Sequence, residues 1–270
     1  LDRAIEEHKV DIIVNYAAET HVDRSIMDPR AFLMTDVIGT ETLLEAVRKH
    51  KLERMIQIST DEVYGDISVG RVDEHAPFRP SSPYAASKAG GDHLCHAYYR
   101  TYQTPVIVTH SCNFYGQNQY PEKLIPLFIT NLLENKKVPV YGRGEQRREW
   151  IFADDHCRAI DLILHKGRVG EPYNIGTGNE IRNIEITKLL IDLAGKDESF
   201  IEYVKDRPGH DMRYALDHSK LTRELGWEPQ ISFADGLTKT VEWYKENEDW
   251  WRKLKSVEYL EYYRKQYSNR

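Results

Sequence analysis

The stretch Arg54-Met55-Ile56-Gln57-Ile58-Ser59-Thr60-Asp61-Glu62-Val63-Tyr64-Gly65 decides the fold. Its first six residues form a short apolar run, which is typical of a strand buried in a parallel sheet. Thr60, Asp61 and Glu62 follow at the carboxyl end, where open parallel sheets bind ligands. Both carboxyl groups can serve one ligand only if the backbone turns at Thr60 or Asp61, because successive strand side chains face opposite sides. Taken alone, the stretch is equally consistent with an ordinary acidic loop.

The neighbouring segments repeat the pattern of a strand followed by a helix. Two further apolar runs, Asp11–Asn15 and Val106–Ser111, have the length of buried strands. Helical periodicity fills the gaps from Pro29 to Lys49 and from Tyr84 to Tyr102. This alternation predicts an α/β fold with a Rossmann-like doubly wound parallel sheet over residues 1–115.

The composition of the sequence and the length of its predicted elements change after Tyr115. From Gly116 onward the elements are shorter and glycine and proline are more frequent. We therefore expect a smaller α+β substrate-binding lobe over residues 116–270. Residues 149–170 are expected to return to the first domain. Trp150–Phe152 is predicted to form a short strand, and Asp154 and Asp155 after it favour the start of a helix.

A glycine-rich turn is the one expected element that the sequence lacks. A dinucleotide-binding sheet normally opens with such a turn, which lets a pyrophosphate approach a helix N-terminus. The first glycine here is Gly39. We expect either that the glycine-rich βαβ segment is absent from this chain, or that the protein uses no dinucleotide.

Composition argues against several classes of partner. The chain has 270 residues, of which 40% are hydrophobic, and its net charge is −6. This balance gives no overall attraction to nucleic acid or to an anionic membrane. No apolar run approaches the roughly 20 residues that span a bilayer, and the acidic N-terminus is unlike a signal peptide. We therefore expect a cytoplasmic enzyme that acts on a small ligand.

The three cysteines Cys95, Cys112 and Cys157 lie far apart in the sequence. Their spacing fits neither a disulfide framework nor a zinc site. They are expected to be reduced thiols of the core, and no metal is expected.

Tyr84 and Lys88 form a second motif, within Ser82-Pro83-Tyr84-Ala85-Ala86-Ser87-Lys88. Pro83 suits the first turn of a helix, and residues four apart project from one helical face. A neighbouring ammonium group favours the phenolate and lowers the tyrosine pKa from about 10. Tyr84 is therefore a candidate base for a hydroxyl proton, although such a pair also occurs often by chance.

Together the motifs resemble the extended short-chain dehydrogenases, and specifically the dTDP-glucose 4,6-dehydratase family. The resemblance runs the whole length of the chain, and several motifs in the same order are more specific than any one. The stretches that carry it are Tyr16–Ser25, Ser59–Gly65, Pro83–Lys88, Asn113–Gly116, Pro121–Pro126, Arg147–Trp150 and Asp206–Asp211.

The resemblance implies a redox-neutral dehydration that uses NAD. In that family the hexose is oxidised at C4, loses water across C5 and C6, and receives the hydride at C6. Tyr84 would deprotonate the 4-hydroxyl, Lys88 would tune Tyr84 and hold the nicotinamide ribose, and Thr60 would bond the 4-oxygen. Glu62 would remove the C5 proton, and Asp61 would protonate the departing hydroxyl. Relatives that epimerise or decarboxylate generally have Ser-Ser or Ser-Ala where this chain has Asp61 and Glu62.

The resemblance also implies two sets of binding residues. The residues expected to line NAD are Tyr16, Ala17, Ala18, Glu19, Thr20, Thr35, Tyr84 and Lys88. Those expected around the sugar nucleotide are Thr20, Asn113, Lys123, Leu124, Pro139, Tyr141, Arg148, Asn183, Asp206, Arg207, His210 and Tyr267. Arg148 is the strongest candidate among them, because a guanidinium fork matches phosphate geometry. A solvated basic face is the alternative for this arginine.

The sequence departs from the family at two positions and leaves two alternatives open. Asp36 stands where the family usually has asparagine, and Met212 where many members have arginine. The same catalytic residues would serve UDP-glucose in place of dTDP-glucose. A catalytically silent nucleotide-sugar-binding protein is the alternative from another class. The family resemblance further implies a homodimer that pairs through the helices at Pro29 and Tyr84, and this chain alone is expected to bind NAD poorly.

Overall fold

The computed structural model describes residues 1–255, 259, 261, 263, 266 and 267. It divides into two compact units. Unit 1 comprises residues 1–112, 156–178 and 214–228, and unit 2 comprises residues 113–155, 179–213 and 229–270. Residues 214–228, which the sequence placed in the second lobe, thus belong to unit 1. The assignment of NAD to one domain and of the sugar nucleotide to the other stays a prediction.

Strands and helices alternate through the first half of the chain. In the described part, the strands are β1 (Ile12–Asn15), β2 (Arg54–Thr60), β3 (Val106–Ser111), β4 (Asn113–Tyr115), β5 (Val138–Tyr141), β6 (Arg147–Phe152), β7 (Pro172–Ile175), β8 (Glu180–Arg182) and β9 (Ile201–Val204). The α-helices are α1 (Asp2–His8), α2 (Val22–Met27), α3 (Pro29–Phe32), α4 (Gly39–His50), α5 (Pro83–Tyr102), α6 (Leu124–Leu133), α7 (Ala153–Lys166), α8 (Asn183–Leu193), α9 (Ser219–Leu225), α10 (Phe233–Glu246) and α11 (Glu248–Leu254).

Unit 1 is built on a parallel sheet of strand order β1-β2-β3-β7. The predicted strands of the first half are confirmed to within one residue at each end. Met55 and Ile56 of β2 are fully buried, as is Ile107 of β3, which pairs with Ile56. Parallel pairing brings the carboxyl ends of neighbouring strands to one edge, so the sequence pattern and the sheet agree.

The helix predicted from Pro29 to Lys49 is interrupted by a π-turn at Leu33–Ile38. A π-turn closes its hydrogen bonds over one residue more than an α-turn and is frequent at functional sites. Within it, the Asp36 carbonyl accepts a bond of 2.7 Å from the Thr40 hydroxyl. Gly91 of α5 packs against the same carbonyl, where a Cβ atom would lie only 2.8 Å from the oxygen. The turn thus lies where α5 approaches most closely.

Unit 2 combines short strands with a core of large apolar side chains. Strand β6 pairs with β4 in parallel and with β8 in antiparallel, and β5 pairs with β9 in parallel. Tyr115, Ile125, Tyr244 and Trp251 are almost fully buried in its core. Mixed pairing under packed helices fits the predicted α+β lobe.

The cysteine prediction is correct for two of the three residues. Cys95 and Cys112 are buried, whereas Cys157 is exposed on α7 and is not a core thiol. Among the described helices, none combines the length and the apolar character that crossing a membrane requires.

Candidate active site

Thr60 ends strand β2 at the carboxyl edge of the sheet. Its Oγ1 accepts a bond of 3.3 Å from the Glu62 backbone N–H, and the chain enters a 3₁₀ turn over Asp61–Tyr64. The predicted backbone turn at Thr60 or Asp61 is therefore confirmed. Gly65 closes the turn at a φ of 74°, where a Cβ atom would overlap the Arg79 carbonyl oxygen. Only glycine fits this position.

Helix α5 brings Tyr84 and Lys88 to the same edge. Ser82 caps the helix by accepting a bond of 3.1 Å from the Ala85 N–H, as expected of serine at this position. Tyr84 and Lys88 are both buried, and the Tyr84 phenol forms a hydrogen bond with Thr60. The ammonium group of Lys88 donates to the Ile58 carbonyl at 2.8 Å. The structure therefore brings together the two motifs that the family resemblance assigned to one site.

The pKa of Tyr84 is raised well above its ordinary value. Burial of the phenol is the largest cause, and the Glu62 carboxylate adds to it, whereas the Thr60 hydrogen bond acts in the opposite direction. This shift is opposite to the lowering that the sequence led us to expect from Lys88. The raised pKa of Tyr84 is explained by its burial, because burial penalises the charged form of a phenol.

Asp61 and Glu62 make different contacts. Asp61 is buried, and its Oδ1 lies 3.3 Å from the Thr60 hydroxyl, which donates to it. Glu62 is partly exposed, and its Oε2 lies 3.4 Å from the Tyr214 hydroxyl. Tyr214 is a site residue that sequence reasoning missed, because it stands 152 positions away from Glu62 and belongs to no quoted motif. Coupled titration of the two carboxyl groups stays a prediction.

Residues 16–20 are held beside the end of β1. Asn15 donates from Nδ2 to Gln57 at 2.8 Å, and its Oδ1 accepts from the Ala17 N–H at 3.1 Å. The Glu19 N–H donates to Asp36 Oδ1 at 3.2 Å. These bonds fix the backbone while Tyr16, Ala17 and Thr20 stay exposed, so the segment offers an accessible surface.

Asp36 lies on the π-turn and is only 1% exposed. Its Oδ2 is 2.7 Å from the hydroxyl of Ser87, which is also 2.8 Å from the Tyr84 carbonyl oxygen. Burial raises the pKa of Asp36, against smaller opposing effects of Ser87 and Lys88. Ser87 was not singled out as a candidate, although it stands immediately before Lys88.

His156 is a second buried group that the sequence did not predict as part of the site. Its Nδ1 lies 3.4 Å from the Tyr16 hydroxyl, and its Nε2 lies 2.9 Å from Ser111 Oγ. Burial lowers the pKa of His156 to about 4. Tyr16 is 46% exposed, and desolvation of the part of it that is buried raises its pKa to about 12. The imidazole is therefore neutral near pH 7, and its ring meets that of Tyr16 edge-on with 6.0 Å between the ring centroids.

In unit 2, several of the residues expected around the sugar nucleotide form one cluster. Tyr141 stacks with Tyr267 at 5.9 Å between ring centroids and meets the edge of His210 at 6.0 Å. Asp206 Oδ1 accepts from the Arg207 N–H at 2.8 Å and lies 2.6 Å from His210 Nδ1. Other predicted residues lie on separate elements of the unit: Asn113 on β4, Lys123 and Leu124 at the start of α6, Pro139 on β5, and Asn183 at the start of α8.

Arg148 on β6 adds positive charge to this cluster. It is 5% exposed, and its guanidinium donates to the carbonyls of Arg147 and Asp211, each at 2.8 Å. Burial and the charges of Arg207 and Arg148 lower the pKa of His210 to about 3. Arg148 is thus a buried cation and not part of a solvated basic face, and the cluster combines positive charge with an aromatic stack.

The sequence matches one family over most of its length. A family model described as GDP-mannose 4,6 dehydratase matches residues 1–240. The dTDP-glucose 4,6-dehydratase of Streptomyces niveus is 52% identical over 246 residues, which are 91% of this chain and 73% of that protein. The enzyme of the same name from Shigella flexneri is 45% identical over an alignment that covers 100% of this chain and 82% of that protein.

Solved structures show the same fold. The dTDP-glucose 4,6-dehydratase of Streptomyces venezuelae, crystallised with NAD bound, matches with a TM-score of 0.92 at 52% identity. The match covers 94% of this chain and 80% of that one. A UDP-glucuronic acid 4-epimerase from Bacillus cereus, in complex with UDP-glucuronic acid and NAD, matches with a TM-score of 0.86 at 30% identity over 91% of this chain and 78% of its own. The predicted Rossmann-like fold is confirmed.

Proposed function

The chain belongs to the GDP-mannose 4,6-dehydratase family of extended short-chain dehydrogenases, and we propose that it dehydrates dTDP-glucose to the 4-keto-6-deoxy sugar nucleotide with NAD as cofactor. One observation carries the proposal: Asp61 and Glu62 directly follow Thr60, which is hydrogen-bonded to the buried Tyr84. Relatives that share about half of the sequence bear the name of this activity.

The residues at the edge of β1 and β2 suit NAD. Asp36 links the two elements that carry the expected NAD-binding residues: its carboxyl group accepts from the Glu19 N–H after β1 and is hydrogen-bonded to Ser87 on α5. The expected residues are Tyr16, Ala17, Ala18, Glu19, Thr20 and Thr35, with Tyr84 and Lys88 on α5. Lys88 has three N–H donors, of which the Ile58 carbonyl accepts one, so others can serve a ribose hydroxyl. NAD supplies a hydride acceptor and later returns that hydride.

The protein side chains then divide the proton transfers. Tyr84 takes the proton of the 4-hydroxyl, and Thr60 holds the same oxygen by a hydrogen bond. Because a C4 ketone acidifies the neighbouring C5 hydrogen, the Glu62 carboxylate suffices to remove it. Asp61, next to it and more deeply buried, delivers a proton to the departing hydroxyl. Two close carboxyl groups resist double ionisation, which favours one acid and one base.

The cluster around Arg148 suits the nucleotide diphosphate and base. Arg148 and Arg207 provide positive charge in a protein of net charge −6, and a dianionic diphosphate requires it. The stacked rings of Tyr141 and Tyr267 match a flat pyrimidine. The base is proposed to be thymine from the names of the relatives, and uracil is the alternative.

We also propose a homodimer. Leu33, Met34 and Ile38 on the π-turn are each about half exposed, at 51%, 53% and 48%. Adjacent exposed apolar side chains mark an interaction surface, and they lie on the helical segment expected to pair. Sedimentation of the protein and of Met34→Glu tests this point. Monomeric wild-type protein would contradict it.

The deciding experiment is an assay of the complete gene product with NAD and no added reductant. The substrates are dTDP-glucose, UDP-glucose and GDP-mannose in separate reactions, and the product ketone is read by its absorbance in alkali. We expect product from dTDP-glucose, and none from any substrate with Tyr84→Phe. Absence of product from all three substrates with the wild-type protein would support a silent nucleotide-sugar-binding protein instead.

A further inference from the structure

The side chain of Asp36 belongs to a chain of hydrogen bonds that has too few hydrogens if the carboxyl group is ionised. Ser87 Oγ lies 2.7 Å from Asp36 Oδ2 and 2.8 Å from the Tyr84 carbonyl oxygen. Both neighbours are acceptors when Asp36 is charged, yet a hydroxyl has one hydrogen to give. One of the two short contacts would then be unsatisfied.

A proton on Asp36 Oδ2 satisfies every contact. The carboxyl group then donates to Ser87 Oγ, Ser87 donates to the Tyr84 carbonyl, and Asp36 Oδ1 accepts from the Glu19 N–H at 3.2 Å. The site is also closed to solvent, since Asp36 is 1% and Ser87 0% exposed. Burial of an unpaired carboxylate is costly, so the hydrogen count and the enclosure indicate the same state.

Few titratable groups act on Asp36 from the elements packed against it. Lys88 on α5 opposes protonation, whereas the Glu19 carboxylate favours it. Tyr84 on the same helix is affected in turn, because negative charge on Asp36 further raises the pKa of its phenol. A neutral Asp36 therefore removes one obstacle to proton transfer by Tyr84.

We propose that Asp36 carries a proton in the working enzyme and is a positioning residue, which holds the first turn of α5 through Ser87 and so places Tyr84 and Lys88. The inference rests on the proposed function for its catalytic consequence, although the protonation itself does not. In the neutral form Asp36 offers one donor and one acceptor, as an asparagine side chain does.

Infrared difference spectroscopy of the wild-type protein against Asp36→Asn tests the protonation. Near neutral pH we expect the carbonyl stretch of a protonated carboxyl group in the wild type, displaced when Ser87→Ala removes its acceptor. Carboxylate bands in its place would overturn the proposal. This readout needs no substrate, so it stands even if the protein makes no ketone and the proposed function fails.

Steady-state kinetics tests the positioning. Asp36→Asn keeps the donor and acceptor, so its kcat should stay within about threefold of wild type. Asp36→Leu has similar volume and neither group, so its kcat should fall about tenfold or more while KM changes less. Equal losses of kcat in the two variants would overturn the proposal. Circular dichroism and equilibrium urea unfolding show whether each variant is folded.

Discussion

Replacing Gly91 by alanine should destabilise the protein, although alanine normally stabilises a helix interior relative to glycine. The added Cβ atom would lie 2.8 Å from the Asp36 carbonyl oxygen and 3.2 Å from Thr40 Oγ1. Neither atom can retreat easily, because the two are hydrogen-bonded to each other within the π-turn region. The helix α5 must therefore shift away from the π-turn.

Gly90→Ala is the matched control, one position earlier in the same helix. Its Cβ atom would lie 3.1 Å from Cγ2 of Val37, the far end of a side chain that can turn. Alanine is favoured over glycine in a helix by about 1 kcal/mol, so this variant should gain up to that amount. Overpacking at Gly91 costs about 1–3 kcal/mol, so Gly91→Ala should lose stability on balance.

Urea unfolding and thermal melts of the two variants measure the difference. Because both variants gain the same helix propensity, we expect their free energies of unfolding to differ by the overpacking cost of roughly 1–3 kcal/mol, which corresponds to about 2–12 °C in Tm for a chain of this size. The kcat of Gly91→Ala should also fall, because the same shift moves Tyr84 and Lys88. If Gly91→Ala melted at or above the temperature of Gly90→Ala, the close approach of α5 to the π-turn would be wrong.

Three further predictions concern single side chains. Glu62→Gln should permit oxidation at C4 but block water loss, so NADH absorbance should accumulate with bound substrate; full turnover would contradict its role as base. Arg148→Lys should raise KM about tenfold or more with little change in kcat, because an ammonium group cannot form the two-pronged contact of a guanidinium; an unchanged KM would remove Arg148 from the diphosphate site. Because burial holds the pKa of His156 at about 4 against an ordinary 6.5, the folded state resists its protonation. This contribution to the free energy of unfolding is complete above pH 6.5 and decreases by about 3 kcal/mol as the pH falls to 4. In urea unfolding, His156→Gln should lose this pH dependence. If the free energy of unfolding of the variant kept the same slope against pH, the assignment to His156 would be refuted.

The sequence predicted the parts of the site that depend on local pattern. Residues 54–59 were predicted to form a buried strand because the apolar run is short and flanked by polar residues. The start of α5 follows from Pro83, whose fixed φ suits the first turn of a helix. Once both elements are placed, the contact between Thr60 and Tyr84 follows from the edge of a parallel sheet.

Features that depend on distant contacts were not predictable. The π-turn reflects the approach of Gly91, more than fifty positions along the chain, and nothing near Asp36 signals it. The pKa of Tyr84 was assigned the wrong direction, because the sequence shows the neighbouring lysine but not the depth of burial. Residues 214–228 join unit 1 through an isolated bridge between Val72 and Leu216 and through scattered hydrogen bonds, such as that of Asn174 to the Asp217 carbonyl. Such contacts leave no periodic signal in the sequence.

The turn after β2 carries the functional groups of Asp61 and Glu62, while neighbouring residues fix much of its backbone conformation. Its course is fixed by the Thr60 hydroxyl, which accepts the Glu62 N–H, and by Gly65, which alone fits beside the Arg79 carbonyl. Asp61 takes part in the first constraint, because its Oδ1 accepts a bond of 3.3 Å from the Thr60 hydroxyl, whereas Glu62 contributes its backbone N–H to that constraint. The bond to the Glu62 N–H and the fit of Gly65 both concern the backbone, so a different side chain at position 62 would meet the same two constraints.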